Sequence, residues 1–268
     1  VIDTDFSKIV QLVEAKDLIV FLLVLFRVAG IFVVAPILGS RSIPPMFQIA
    51  FAVVLALLIF PQINFKDPLA LESDLYLFQL ILREVTIGIV IGFTAMLIFT
   101  AIQVAGEIVG LKVGYSIATV IDPNSQGMTS ILSQFYFLIG ALLFLYLDGH
   151  HIIIEGVVRS FELMPMGTPL GTLFTGSLSQ LLTQLLVIGI KLAAPVIIVI
   201  MLLNLIFGVL TKLSPQMNIY FNVGFIAGPI LGLIAVMASL PLMRVLVTQL
   251  TESMRPEIFE VIQELRGI

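Results

Sequence analysis

Six apolar runs, at residues 18–38, 46–63, 75–105, 131–147, 178–210 and 222–250, alternate along the chain with short polar breaks. None has the in-out alternation of a barrel strand. In hydrocarbon only helices and closed barrels satisfy their own backbone groups, so the pattern predicts an all-α, membrane-type fold of six apolar helices. Proline marks the ends: Pro36 with Pro44-Pro45, Pro61 with Pro68, Asp122-Pro123, Pro165 with Pro169, and Pro215 all sit at or just beyond a run. A bilayer core takes roughly 20 helical residues, yet run 75–105 corresponds to about 46 Å of helix and run 178–210 to about 50 Å. Such helices are expected to be tilted, broken at a residue such as Pro195, or covered in part by protein.

Composition strengthens this picture. Of 268 residues 59% are hydrophobic and only 11% charged, with a mean hydropathy of +1.17, far from the balance of a soluble domain. The net charge of −4 includes no basic cluster, which removes nucleic acid as a partner. The absence of cysteine excludes disulfide and thiol chemistry. The first 17 residues lack a basic leader, and no small-residue cleavage site follows the first apolar run, so that run is expected to be retained. The economical description is one membrane domain, 1–268. Its tail, 251–268, reads as an amphipathic helix begun by Pro256 and lying on a membrane surface or a partner. Basic residues are more numerous on the side that carries both termini, which predicts termini inside.

Charges within the apolar runs need compensation. Arg27, Arg83, Glu84, Lys191 and Arg244 each interrupt a run, at about 2.5–3.5 kcal/mol apiece for a mid-helix position. Arg244 and Arg83 can snorkel, whereas Arg27 and Lys191 call for protein partners. The cluster Asp148, His150, His151 and Glu155 reads as a solvated turn. Adjacent histidines diverge by about 100° on a helix and HExxH is absent, so no metal is expected. Neither a carboxylate pair nor a serine with a histidine in reach is present, and no catalysis or cofactor is expected.

The stretch at 106–127 is different in kind. Gly106, Gly110, Gly114 and Ala118 repeat every fourth residue, giving a helix through them one bare face for close backbone approach. Ser116, Thr119, Asp122, Asn124, Ser125 and Gln126 follow. Small and then polar, the segment suits a re-entrant or constricting element shielded by protein.

Gly114-Tyr115-Ser116-Ile117-Ala118-Thr119 with Asp122-Pro123, followed by Leu213-Ser214-Pro215-Gln216-Met217-Asn218 and the segment from Phe221 to Gly224, resembles the FliR family of flagellar export-gate proteins over essentially the whole chain. Lys212 stands where arginine is common in that family. The resemblance implies a single subunit of a helical hetero-oligomeric gate, built with several copies each of FliP-like and FliQ-like subunits and attended by an FlhB-like protein. It implies the bacterial inner membrane, at the flagellar basal body, with unfolded flagellar proteins as cargo and no catalytic role. In such a gate Gly106, Gly110, Gly114, Tyr115, Ser116, Ile117, Ala118, Thr119, Asp122 and Pro123 would form a pore plug, with residues 110–124 as the constriction. Pro215, Gln216, Asn218, Phe221 and Gly224 would shape the last hairpin, and Arg27, Arg83, Glu84 and Lys191 would support assembly. A virulence type III secretion subunit is the neighbouring alternative. A small-solute secondary transporter is the competing class, disfavoured because the chain has no internal repeat and no compact charged cluster.

Overall fold

The computed structural model describes residues 15–40, 43–63, 74–114, 130–171, 175–214, 216 and 224–267. Among these every extended element is an α-helix: α1 (Ala15–Val34), α2 (Pro45–Ile59), α3 (Asp74–Val113), α4 (Ile131–Tyr146), α5 (Gly149–Leu163), α6 (Thr175–Leu213) and α7 (Phe225–Arg266). Five of the helices are long and apolar enough to cross a membrane, or six if α4 and α5 count as one broken span. The chain is an all-α protein of the membrane-embedded type.

Local chemistry sets most boundaries. α1 stops at Val34, two residues before Pro36, which disfavours helical backbone in the residue that precedes it. α2 begins with Pro45 at its first position, where a missing N–H costs nothing. α4 and α5 are parted by a turn at Leu147 and Asp148, and Asp148 takes a left-handed φ of 56°. The cluster expected to form a solvated turn is a turn only at Asp148; His150, His151 and Glu155 lie in the 15-residue α5, and Asp148, His150 and His151 bring one ligand atom each within 4.8 Å of one another, closer than the divergence of adjacent histidines suggested.

Three expectations are corrected by the element lengths. Residues 106–113, placed beyond the third apolar run at 75–105, are the last two turns of the 40-residue α3, and the chain leaves helical geometry only at Gly114, with φ 95°. Pro195 lies inside a continuous 39-residue α6. Pro256 does not start a helix but falls within the 42-residue α7, which runs unbroken from Phe225 to Arg266. A proline removes one backbone hydrogen bond without stopping a helix whose flanking turns are held by packing.

By contact density the chain divides into two compact units. Unit 1 takes 1–96, 151–177 and 255–268, and unit 2 takes 97–150 and 178–254. Unit 1 has its core where α1, the first half of α3, α5 and the end of α7 meet, with Leu23, Ile31, Leu80, Ile87, Ile91 and Ile262 buried. In the same unit α2 packs on α1 with Ala52, Ala56 and Ile59 buried and Phe51 edge-on to Phe32, and it leaves Met46, Phe47, Ile49, Leu57 and Leu58 exposed. Unit 2 buries Phe99, Ile102, Tyr136, Phe144, Val196 and Val236, while Met201, Leu202, Leu205 and Ile206 of α6 are exposed.

Candidate functional site

The charges predicted inside the apolar runs resolve into a polar knot in unit 1. Arg27 on α1 and Glu84 on α3 are both fully buried, with Nε donating to Glu84 Oε2 at 2.5 Å. The other nitrogens of the guanidinium reach α5: Nη1 donates to Ser160 Oγ at 3.0 Å and Nη2 to the carbonyl of Met164, just past the helix end, at 3.1 Å. The Phe161 ring lies 3.9 Å from the guanidinium carbon. A planar fork with spread donors is what such a three-way contact requires, which lysine cannot supply. The cation also sits at the C-terminal end of α5, where the helix dipole favours it.

Close backbone contact brings these groups together. A Cβ at Gly30 would stand 2.5 Å from the Val85 carbonyl oxygen, one at Gly88 would strike the Arg27 carbonyl, and one at Gly92 would lie 3.0 Å from the Ile31 carbonyl. α1 and α3 thus touch through a bare seam of Gly30, Gly88 and Gly92. Gly88 and Gly92 carry the same four-residue spacing as the glycines at 106–114, and that spacing was the signal available in the sequence for this seam.

Arg83 has one buried nitrogen, Nη1, without a hydrogen-bond partner among the described residues. Lys191 is exposed on α6. Of the four charges assigned to assembly, Arg27 and Glu84 answer each other within this chain, and Arg83 and Lys191 do not join them.

In unit 2, the small-residue face ahead of the candidate plug packs on α4. A Cβ at Gly106 would stand 2.6 Å from Ser133 Cα, and Ser133 Oγ donates to the Gln103 carbonyl at 2.9 Å. The Ser130 N–H donates to Glu107 Oε2 at 3.4 Å, placing a carboxylate at the α4 N-terminus where the dipole favours it. Farther along, Val113 fills the space beside Gly232 of α7, where a Cβ would come 2.5 Å from its Cγ1. Gly106 and Gly110 are buried and Gly114 is half-buried. Tyr115, Ser116, Ile117, Ala118, Thr119, Asp122 and Pro123 lie outside the described residues, as do Pro215, Asn218 and Phe221 of the second motif. Gln216 is exposed, and Gly224 faces the Phe207 ring, 3.4 Å from where a Cβ would be.

The end of α7 forms a third feature, in unit 1. Its apolar stripe of Ile258, Val261, Ile262 and Leu265 is buried, so this chain itself covers the surface expected to rest on a membrane or partner. Arg266 Nη1 donates to the Leu163 carbonyl at the end of α5 (3.1 Å), and Glu264 Oε1 accepts from the Gly176 N–H at the start of α6 (3.0 Å). Leu265 O accepts from the Gly171 N–H at 2.8 Å.

Known proteins resemble this chain along most of its length. The family model for bacterial export proteins, family 1, matches residues 18–254. The flagellar biosynthetic protein FliR of Escherichia coli (strain K12) is 31% identical over 242 residues, 90% of each chain. That of Bacillus subtilis (strain 168) is 30% identical over 204 residues, 75% of this chain and 78% of its own. The protein of the same name from Aquifex aeolicus (strain VF5) is 31% identical over 236 residues, 88% of this chain and 90% of its own. With six apolar runs, glycine-seamed helix pairs and a match along nearly its whole length, this chain belongs to family 1 of the bacterial export proteins.

Proposed function

We propose that this chain is the FliR-like subunit of a flagellar type III export gate in the bacterial inner membrane, at the base of the flagellum. The observation that carries the reading is the near full-length similarity to several proteins named flagellar biosynthetic protein FliR. That shared name favours the flagellar system over a virulence system. With FliP-like and FliQ-like subunits, several copies of each, and an FlhB-like protein, the chain encloses a pore for unfolded flagellar proteins. The broad apolar exposure of α2, α6 and α7 supports this reading, since it supplies surface for neighbouring subunits.

Within the gate, residues 110–124 act as the plug. α3 delivers them rigidly, because Gly106 seats its last turns against α4 and Val113 seats its end against α7. Tyr115 and Ile117 supply occluding bulk, and Ser116, Thr119 and Asp122 supply hydrogen-bonding groups for backbone in a narrow lumen. Arg83 and Lys191 are the charges left for neighbours. Deleting residues 115–124 from the complete gate is expected to raise ion conductance in liposomes, and unchanged conductance rejects the plug. Replacing Lys191 by leucine is expected to lower recovery of the complex; full recovery removes Lys191 from the assembly surface.

A further inference from the structure

The middle of α6 carries one polar side chain that belongs to none of the features above. Residues 192 to 211 hold no charge, and on one side of the helix Val196, Ile200 and Phe207 are buried in unit 2. Every other side chain exposed between 197 and 210 is apolar, but Asn204 is exposed too, and its amide makes no hydrogen bond among the described residues. One turn on, Gly208 is exposed, and a Cβ there would meet nothing within 4 Å. The two belong to a regular line. Ala194, Ile197, Met201, Asn204, Gly208 and Thr211 follow one another at alternate spacings of three and four residues, all exposed or half-buried. Such a line is the seam that a second helix meets at a shallow crossing angle.

Acyl chains can cover the apolar part of this surface from any direction, but they offer nothing to an amide, whose donors and acceptor stay unmet in hydrocarbon. A helix of another chain can answer it, because asparagine hydrogen-bonds across helices and a glycine one turn away lets the two backbones approach. We propose that one uncharged helix of a neighbouring gate subunit lies along the seam from 194 to 211, with Asn204 as the contact that sets its register. That helix brings a hydroxyl, an amide or a backbone carbonyl opposite Asn204 and seats a side chain in the notch at Gly208. The proposal rests on the export-gate reading and adds to it the place and the polar group by which α6 recognises its neighbour. An apolar seam alone lets a partner slip by a turn at little cost, whereas a single enclosed amide fixes the alignment. Thr211 does not compete for this role, since its Oγ already donates to the Phe207 carbonyl at 2.8 Å.

Asn204→Leu and Asn204→Gln are compared with the unaltered chain in the complete gate, purified in a mild detergent and challenged with a harsher one. Extracted alone, the variants should melt with the unaltered chain, because Asn204 holds no hydrogen bond within it. In the gate, Asn204→Leu should raise the ratio of released to retained chain about threefold to tenfold, the usual worth of one amide contact between membrane helices. Asn204→Gln, which keeps the amide, should release less. Unchanged release of the Asn204→Leu chain, or equal release of both variants, overturns the proposal. Should the leucine variant fail to assemble, a photoreactive residue in place of Met201 or Gly208 decides, and both positions should capture the same gate subunit. Capture of lipid alone, or of a second copy of this chain, overturns the proposal. A gate that assembles in full while both positions capture only lipid loses the seam and keeps the export-gate reading. A chain that purifies without gate subunits, yet is captured at both positions by one other membrane protein, keeps the seam and loses that reading.

Discussion

Arg27 shows how a single residue can be costly alone and stabilising in company. Its three nitrogens are each hydrogen-bonded, to a carboxylate, a hydroxyl and a carbonyl, so the charge has a partner on every nitrogen inside the chain, while Glu84 Oε1 is buried without one among the described residues. Removing one partner of a buried pair leaves the other charged and unpaired, at about 3–5 kcal/mol. Arg27→Met is therefore expected to lower the thermal stability of the purified protein sharply. The double variant Arg27→Met with Glu84→Met should recover part of that loss, because no charge is left unpaired while the Met164 carbonyl still loses its donor. Unfolding temperatures of the two single variants and the double variant, measured in one detergent, check this as a coupling cycle. The glycine seam gives a second residue-level expectation. Gly88→Ala forces a methyl group onto the Arg27 carbonyl, and overpacking of this kind costs about 1–3 kcal/mol. Gly208→Ala, where a Cβ meets nothing within 4 Å, should leave stability within error or raise it slightly.

Among the helices, length and ends matter more than hydropathy. α6 has 39 residues, well beyond a bilayer, but its stretch from 192 to 211 carries no charge and is bracketed by Lys191 and Lys212. That stretch is about 30 Å long, so the helix holds one bilayer-length section plus an extension. The last turns of α7 tie other elements in place. Glu264 caps the first turn of α6 and Arg266 caps the end of α5, each with the charge that the helix dipole favours at that end. Glu264→Ala is expected to cost about 1 kcal/mol, the usual loss of an N-terminal cap. Truncation before Pro256 also removes the buried Ile258, Val261, Ile262 and Leu265, and should expose the connector between α5 and α6 to limited proteolysis. Undiminished protease resistance of the truncated chain would count against the clasp.

At the scale of the whole molecule, the amount of uncovered apolar surface is the dominant fact. Exposed large hydrophobic residues run along α2, α4, α6 and α7, beyond what a chain in water sustains. In the proposed gate, neighbours cover much of that surface, so the chain extracted alone should melt at a lower temperature than the chain within the co-purified complex. Binding to the folded state alone raises stability by mass action. Equal melting temperatures, measured in the same detergent, would indicate that partners add nothing to this subunit.

The sequence by itself determined the helical class, the approximate course of all six apolar runs and the family, because a continuous apolar run and a short motif are local properties of the chain. Gly114 also stood out before any fold was known, since the fourfold glycine spacing is visible in the letters, and α3 does end there. Only the tertiary structure decided that Arg27 answers Glu84, that α5 supplies Ser160 and Met164 to the same guanidinium, and that the tail continues α7 through Pro256 onto this chain's own core. Those partners lie 57, 133 and 137 residues away from Arg27. No periodicity within one helix specifies which face of another it will meet, and that choice follows from where bare glycine backbone lets two helices approach.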